Sequence, residues 1–293
     1  MVRAWLARRC GIGSALCVAF VLVACIPATI VSHAIIMPGR VWTAGRPSLP
    51  ADDVTFDGAG VTLRGWLFRT PAARKGTVVF LHGAAHNRAA GLPVYQHLVP
   101  LGWDVLAYDN RGQGDSGGDA MTYGYFEKKD VVRALDFLGA DHVILVGVSG
   151  GGAVALQAAA DDPRIAGVVA VGTFTDLWSI ARERMPWWAG DRGLAEGLAL
   201  AERRGRFRVS AVSPLQAARR VHVPVLILHG EKDEWVSPEH ARRLYEALAG
   251  PKQLFIIPGS KHVPEPTPEL WSVVDRWLED FSAGRLTAEA PRS

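Results

Sequence analysis

Apolar and polar positions fall along the chain in two alternating patterns. Short runs at 77–81, 104–108, 143–148, 165–171, 223–228 and 254–257 are apolar at nearly every position, as strands covered on both faces are. Between them, 125–138 and 269–281 carry apolar residues at helical spacing. Ser237-Pro238-Glu239 predicts another helix start, with an N-cap serine and proline at the first helical position. Residues 54–56 and 61–68 alternate around Asp57-Gly58-Ala59-Gly60, which predicts a hairpin. Strands alternating with helices imply the α/β class: a mostly parallel central sheet with helices on both faces. Function in such sheets gathers beyond the carboxyl ends of the strands. Polar clusters sit there: His82 to Asn87, Asp109 to Ser116, Ser149, His229 to Asp233, and Pro258 to His262.

A different pattern opens the chain. Arg3, Arg8 and Arg9 precede a nearly uncharged apolar stretch at 10–37, long enough to cross a bilayer. The basic flank predicts an N-terminus inside and the following domain outside, in an extracytoplasmic location. Three readings fit: an uncleaved membrane anchor, a lipoprotein signal, and a cleaved signal peptide. Leu22-Val23-Ala24-Cys25 resembles a bacterial lipobox and would make Cys25 the lipidated residue. The expected organisation is this segment at 1–37, a Pro/Gly-rich linker at 38–50, a catalytic domain at 51–283 with a helical cap at about 174–210, and a polar tail at 284–293.

Composition narrows the chemistry. The 293 residues suffice for one large domain, and 49% apolar content supports a sizeable core. A net charge of +3 gives no reason to expect nucleic acid as a partner. Cys10, Cys17 and Cys25 all fall in the N-terminal segment, so the rest of the chain has neither a disulfide framework nor a thiolate metal site. No histidine pair has metal-ligand spacing on a helix, so neither metal nor cofactor is expected.

The chemistry centres on Gly147-Val148-Ser149-Gly150-Gly151, between an apolar strand and an Ala-rich helix. A sharp strand-to-helix turn of this kind lifts the serine above the sheet, and Gly147 and Gly151 leave room for neighbouring backbone. A serine hydroxyl needs a base to become a nucleophile. His262, on the loop after the last strand, is the candidate base; a solvated loop histidine is the plain alternative. Asp233 would orient the imidazole, in competition with Glu231 and Glu234. A nucleotide-binding reading of the glycines fails on spacing, because G-x-G-x-x-G is absent.

From 54 to 281 the chain resembles the α/β-hydrolase superfamily, closest to bacterial membrane-anchored members of the serine-aminopeptidase-like lipase and esterase group. The matching residues are His82-Gly83, Asp109-x-Arg111-Gly112-x-Gly114-x-Ser116, Gly147-x-Ser149-x-Gly151, Gly230-x-x-Asp233 and His262. The resemblance implies the α/β-hydrolase fold, favours Asp233 as the acid, and places the oxyanion donors at the N–H groups of Ala84 and Gly150. Ala85 is the alternative if the loop is shifted by one. Gly150 stands where relatives often carry a larger residue, which implies a smaller pocket wall. Asp109 and Arg111 read as a buried charge pair bracing the loops, His82 as a brace, and Asn87 and Arg88 as helix-capping residues.

The segment at 174–210 exceeds an ordinary connection, which suggests a lid. Trp178, Trp187 and Trp188 form a possible acyl pocket there, and its arginines would face anionic lipid or substrate. A solvated cap whose tryptophans pack on the core is the competing reading. The function implied is a serine hydrolase acting on a small-molecule or lipid ester or thioester. An aminopeptidase-type amide hydrolase and a non-catalytic binding module on the same fold are the alternatives.

Overall fold

The computed structural model describes residues 28–37, 39–185 and 190–286. Eight strands form one sheet in the order β1-β2-β4-β3-β5-β6-β7-β8. β1 (Asp52–Asp57) and β2 (Thr62–Phe68) make the expected hairpin, and β2 also pairs antiparallel with β4 (Trp103–Tyr108). The remaining pairings are parallel, through β3 (Gly76–Leu81), β5 (Val143–Val148), β6 (Ile165–Val171), β7 (Val225–Gly230) and β8 (Lys252–Ile257).

The unbroken apolar runs are explained by cover on both faces. In β5, Val143 and Leu145 pack with α2 (Glu127–Leu138), α3 (Gly150–Ala159) and α7 (Pro238–Ala247). Ile144 and Val146 point the other way, toward α1 (Leu92–Leu98) and α8 (Pro268–Ser282). Alternate side chains of one strand thus feed two separate cores. The predicted strand at 223–228 starts later, at Val225. Pro224 has no N–H to donate and only accepts, from the Val168 N–H at 3.0 Å. A short helical turn capped by Asn87, which accepts from the Ala89 N–H at 2.9 Å, leads into α1, the helix its capping role implied.

Between β6 and β7 the chain forms α4 (Leu177–Arg184), α5 (Gly190–Gly205) and α6 (Pro214–Ala218). These occupy the place of the expected cap. The apolar faces of α4 and α5 cluster with Val31, Ile35 and Ile36 of a helical stretch at 28–36. Gly197 permits the approach, since a Cβ there would lie 2.4 Å from Val31 Cγ1. One face of the end of the apolar N-terminal stretch is therefore buried against protein, through Val31, Ile35 and Ile36. Residues 1–27, with the basic flank, Cys25 and most of the stretch, lie outside the described residues. Among the described residues no helix is long and apolar enough to cross a membrane. The expected linker at 38–50 is tied down: Arg40 donates to the Ser116 carbonyl at 3.0 Å, and Asn87 Nδ2 to the Val41 carbonyl at 3.1 Å.

Two buried ion pairs hold the loops at the strand ends. Asp109 and Arg111 do not pair with each other, contrary to expectation. Arg88 pairs with Asp109 and, at 2.9 Å, with Asp115, so it is an ion-pair partner and not a cap. Arg111 reaches Asp130 of α2 at 2.6 Å, and Asp130 also accepts from the Ala59 N–H in the hairpin turn at 2.8 Å. One carboxylate so fastens the β1–β2 turn to the loop after β4. Removing one partner of such a pair strands the other charge. Asp130→Ala should lower unfolding stability by about 3–5 kcal/mol, measured by urea titration with the slope unchanged.

Candidate active site

Strand β5 ends at Val148, and Ser149 turns the chain sharply into α3 with φ 53° and ψ −116°. A non-glycine residue there is strained and persists only where its surroundings hold it. The Ser149 N–H donates to the Val171 carbonyl of β6 at 2.7 Å, and its carbonyl accepts from Thr173 Oγ1 at 2.9 Å. The flanking glycines are sterically required. A Cβ on Gly151 would sit 2.0 Å from the Leu81 carbonyl oxygen, and one on Gly147 would sit 2.4 Å from the Gly151 oxygen.

The loop after β8 brings His262 to this turn. Its Nε2 lies 3.0 Å from Ser149 Oγ, and its Nδ1 lies 2.7 Å from Asp233 Oδ2. Gly230 lets that loop approach, because a Cβ on it would lie 2.0 Å from the Lys261 carbonyl oxygen. The competing carboxylates are elsewhere: Glu231 accepts from the Gly259 N–H at 2.8 Å, and Glu234 is exposed.

Asp233 is 6% exposed and fully engaged. Oδ1 accepts from the N–H groups of Trp235 at 2.8 Å and Val236 at 2.9 Å. Oδ2 is shared between His262 and His229, whose Nε2 lies 3.1 Å away. Burial pushes this carboxyl upward. The hydrogen bonds from His229, His262 and the Val236 N–H outweigh it and hold the group well below the usual carboxylate range. His229 was quoted in the sequence motif without a role. A histidine four residues before the acid, at the end of a buried strand, was the available signal.

The loop after β3 lies against the serine, and a Cβ on Gly83 would come 3.3 Å from Ser149 Cβ. The Ala85 N–H is taken by Gln113 Oε1 at 3.0 Å. The N–H groups of Ala84 and Gly150 meet no acceptor among the described residues. The gap expected beside Gly150 is filled, since a Cβ there would meet Met121 Cε at 2.9 Å and Tyr123 Cδ1 at 3.4 Å. His82 braces the loop as expected: Nδ1 donates to the Gly83 carbonyl at 2.8 Å, and Nε2 accepts from the Asn110 N–H at 2.9 Å. Burial lowers its pKa to about 4, so it is neutral near pH 7.

Of the tryptophans expected in the pocket, the described one, Trp178, does not line this site. Trp178 is 43% exposed and borders a groove of about 570 Å³ between α5 and α6, which none of Ser149, Asp233 and His262 lines. Trp187 and Trp188 lie outside the described residues. Several cap arginines are engaged within the protein: Arg182 pairs with Asp191, Arg192 with Glu196, and Arg184 stacks over the Trp235 ring at 4.0 Å.

Two family descriptions match this chain: "alpha/beta hydrolase fold" over residues 76–201, and "Serine aminopeptidase, S33" over residues 209–264. The solved structure of the Pyrococcus furiosus esterase Pf2001 superimposes with a TM-score of 0.69 at 25% identity, covering 84% of this chain and 97% of that one. The chain has the α/β-hydrolase fold and is similar to members of that superfamily. Among relatives by sequence, an uncharacterized Bacillus subtilis protein, YqkD, is 32% identical over 205 residues, which span 64% of each chain. The uncharacterized protein YfhR of Escherichia coli K12 is 27% identical over 259 residues, 85% of this chain and 84% of that one.

The depressed Asp233 pKa has a consequence for stability. The carboxylate stabilises the folded state above its unfolded pKa of about 3.9, and that contribution is lost as pH falls toward the folded value. The Tm difference between wild type and Asp233→Asn should therefore be largest at pH 6–7 and shrink steadily below about pH 4, as followed by circular dichroism.

Proposed function

We propose that the protein is a serine hydrolase that cleaves an ester or thioester through an acyl-enzyme. The observation that carries this reading is the continuous hydrogen-bonded line from Ser149 Oγ through His262 to Asp233. His262 Nε2 takes the Ser149 proton as Oγ attacks the substrate carbonyl, forming the Oγ–C bond. Asp233 holds Nδ1–H on the far side of the ring, which keeps Nε2 available and stabilises the imidazolium. Charge on the former carbonyl oxygen is received by the N–H groups of Ala84 and Gly150, the latter at the positive end of α3. Collapse breaks the bond to the leaving group, which takes its proton from His262 Nε2. Water then attacks the acyl-enzyme by the same route and restores the Ser149 hydroxyl.

The likeness to the Pyrococcus esterase supports an ester substrate. The serine-aminopeptidase description spans both Asp233 and His262 and gives the amide reading its footing. We also retain attachment to a membrane through the segment before residue 28, either as an anchor or through lipidated Cys25, with the hydrolase domain on the extracytoplasmic side. The apolar stretch and its basic flank support this reading.

A fluorophosphonate probe should label the folded protein, and Ser149→Ala should abolish labelling while retaining the wild-type Tm. On a panel of p-nitrophenyl esters and aminoacyl anilides, Ser149→Ala should lower kcat by roughly 10⁴-fold or more. Absence of labelling in folded protein would establish a binding module instead.

A further inference from the structure

A cavity of about 190 Å³ lies on the α1–α8 side of the sheet, and every residue lining it is apolar. Its wall adjoins the reacting groups along the chain. Val148 lines it and precedes Ser149; Val263 lines it and follows His262. Val171 lines it one residue before Gly172, where a Cβ would lie 3.4 Å from His262 Nδ1. Consecutive Cα atoms are about 3.8 Å apart, so the wall comes within one residue of both Ser149 and His262. Val94 of α1 and Trp271 of α8 close the opposite side. Trp271 is held by stacking on His97 at 3.9 Å, and His97 is fixed to Asp275 at 2.8 Å. Val263 is 53% exposed, which puts an apolar residue at the surface beside His262.

A cavity lined mainly by apolar atoms gains little from water, and an apolar one of about 150 Å³ takes up a benzene-sized molecule. Close packing is the rule in protein interiors, and a void this large beside a nucleophile is a departure from it. We infer that this cavity receives the apolar chain of the ester, about six to eight carbons long. The inference rests on the hydrolase reading above. Acyl and alkoxy chains share the required chemistry, and the test separates them. The cavity is distinct from the groove beside Trp178, which lies between α5 and α6.

The experiment uses two graded series on the full chain: p-nitrophenyl esters from acetate to dodecanoate, and alkyl acetates from methyl to dodecyl. In the series whose chain enters the cavity, kcat/KM should rise about fourfold per methylene, as expected for about 0.8 kcal/mol per buried CH₂, and fall beyond the cavity's capacity. Val94→Phe, which narrows the cavity, should move that optimum to shorter chains and lower the octanoyl-to-acetyl ratio at least tenfold. Trp271→Ala should move it to longer ones, so either variant suffices if the other misfolds. Independently of turnover, methyl octanoate or octyl acetate should raise the Tm of Ser149→Ala protein, and Val94→Phe should remove that increment. A flat profile in both series with no Tm increment, in protein that the fluorophosphonate labels, overturns the cavity assignment alone. Absence of labelling overturns the hydrolase reading, and the assignment to a substrate falls with it.

Discussion

The close approach of three strands to one turn is the constraint from which the rest of the site follows. Ser149 keeps its left-handed backbone because β6 accepts its N–H and because the carbonyl of Leu81 fills the space a side chain at 151 would need. Strain of about 1–3 kcal/mol is tolerated where surroundings over-determine a conformation. The sheet supplies that here. β3 and β6 flank β5 on either side, and each is buried on both faces. A fault in the packing of these central strands would relax the turn and lower Oγ away from the imidazole.

Around that turn, charge is handled by pairing and desolvation. The loops after β3 and β4 are stitched by Arg88, Asp109 and Asp115, with Arg111 and Asp130 below them. Such pairs add little net stability over apolar packing, yet they are exacting about geometry. That suits loops that must present backbone N–H groups and not side chains. On the other flank, Asp233 is surrounded by donors. Two histidines share one of its oxygens, and His262 alone extends to the serine. His229 is fully buried and fixed to the Val236 carbonyl at 2.8 Å, so it acts as a rigid prop for the carboxylate.

Much of this was legible in the sequence, for physical reasons that differ by element. The parallel strands were visible because burial on both faces leaves no polar position to interrupt the run, and the hairpin because Gly58 and Gly60 punctuate it. The rim residues were visible because polar clusters after apolar strands have few structural uses, and Ser149, Asp233 and His262 do meet at hydrogen-bond distance. The partners of Asp109 and Arg111 were not legible. Proximity in sequence suggested one pair, whereas the fold gives each a mate from another element. Nor could periodicity tell that one face of the end of the N-terminal apolar stretch meets α5 instead of lipid. Both environments select the same residues, and only Gly197 opposite Val31 marks a helix–helix contact.

That contact ends at the site. The carbonyl oxygens at the C-terminal end of a helix usually lack partners. Here the Ile36 carbonyl accepts from the Met121 N–H at 2.9 Å, and the Ile35 carbonyl from Tyr123 Oη at 3.0 Å. Met121 and Tyr123 are the side chains pressed against Gly150. The helical stretch at 28–36 is thus wired mechanically to the wall behind an expected oxyanion donor. A recombinant form trimmed after residue 37 for ease of purification would shed both bonds and uncover the α4–α5 apolar face. Its turnover would describe a loosened relative of the native molecule, so the boundary chosen for expression is itself a variable of the chemistry.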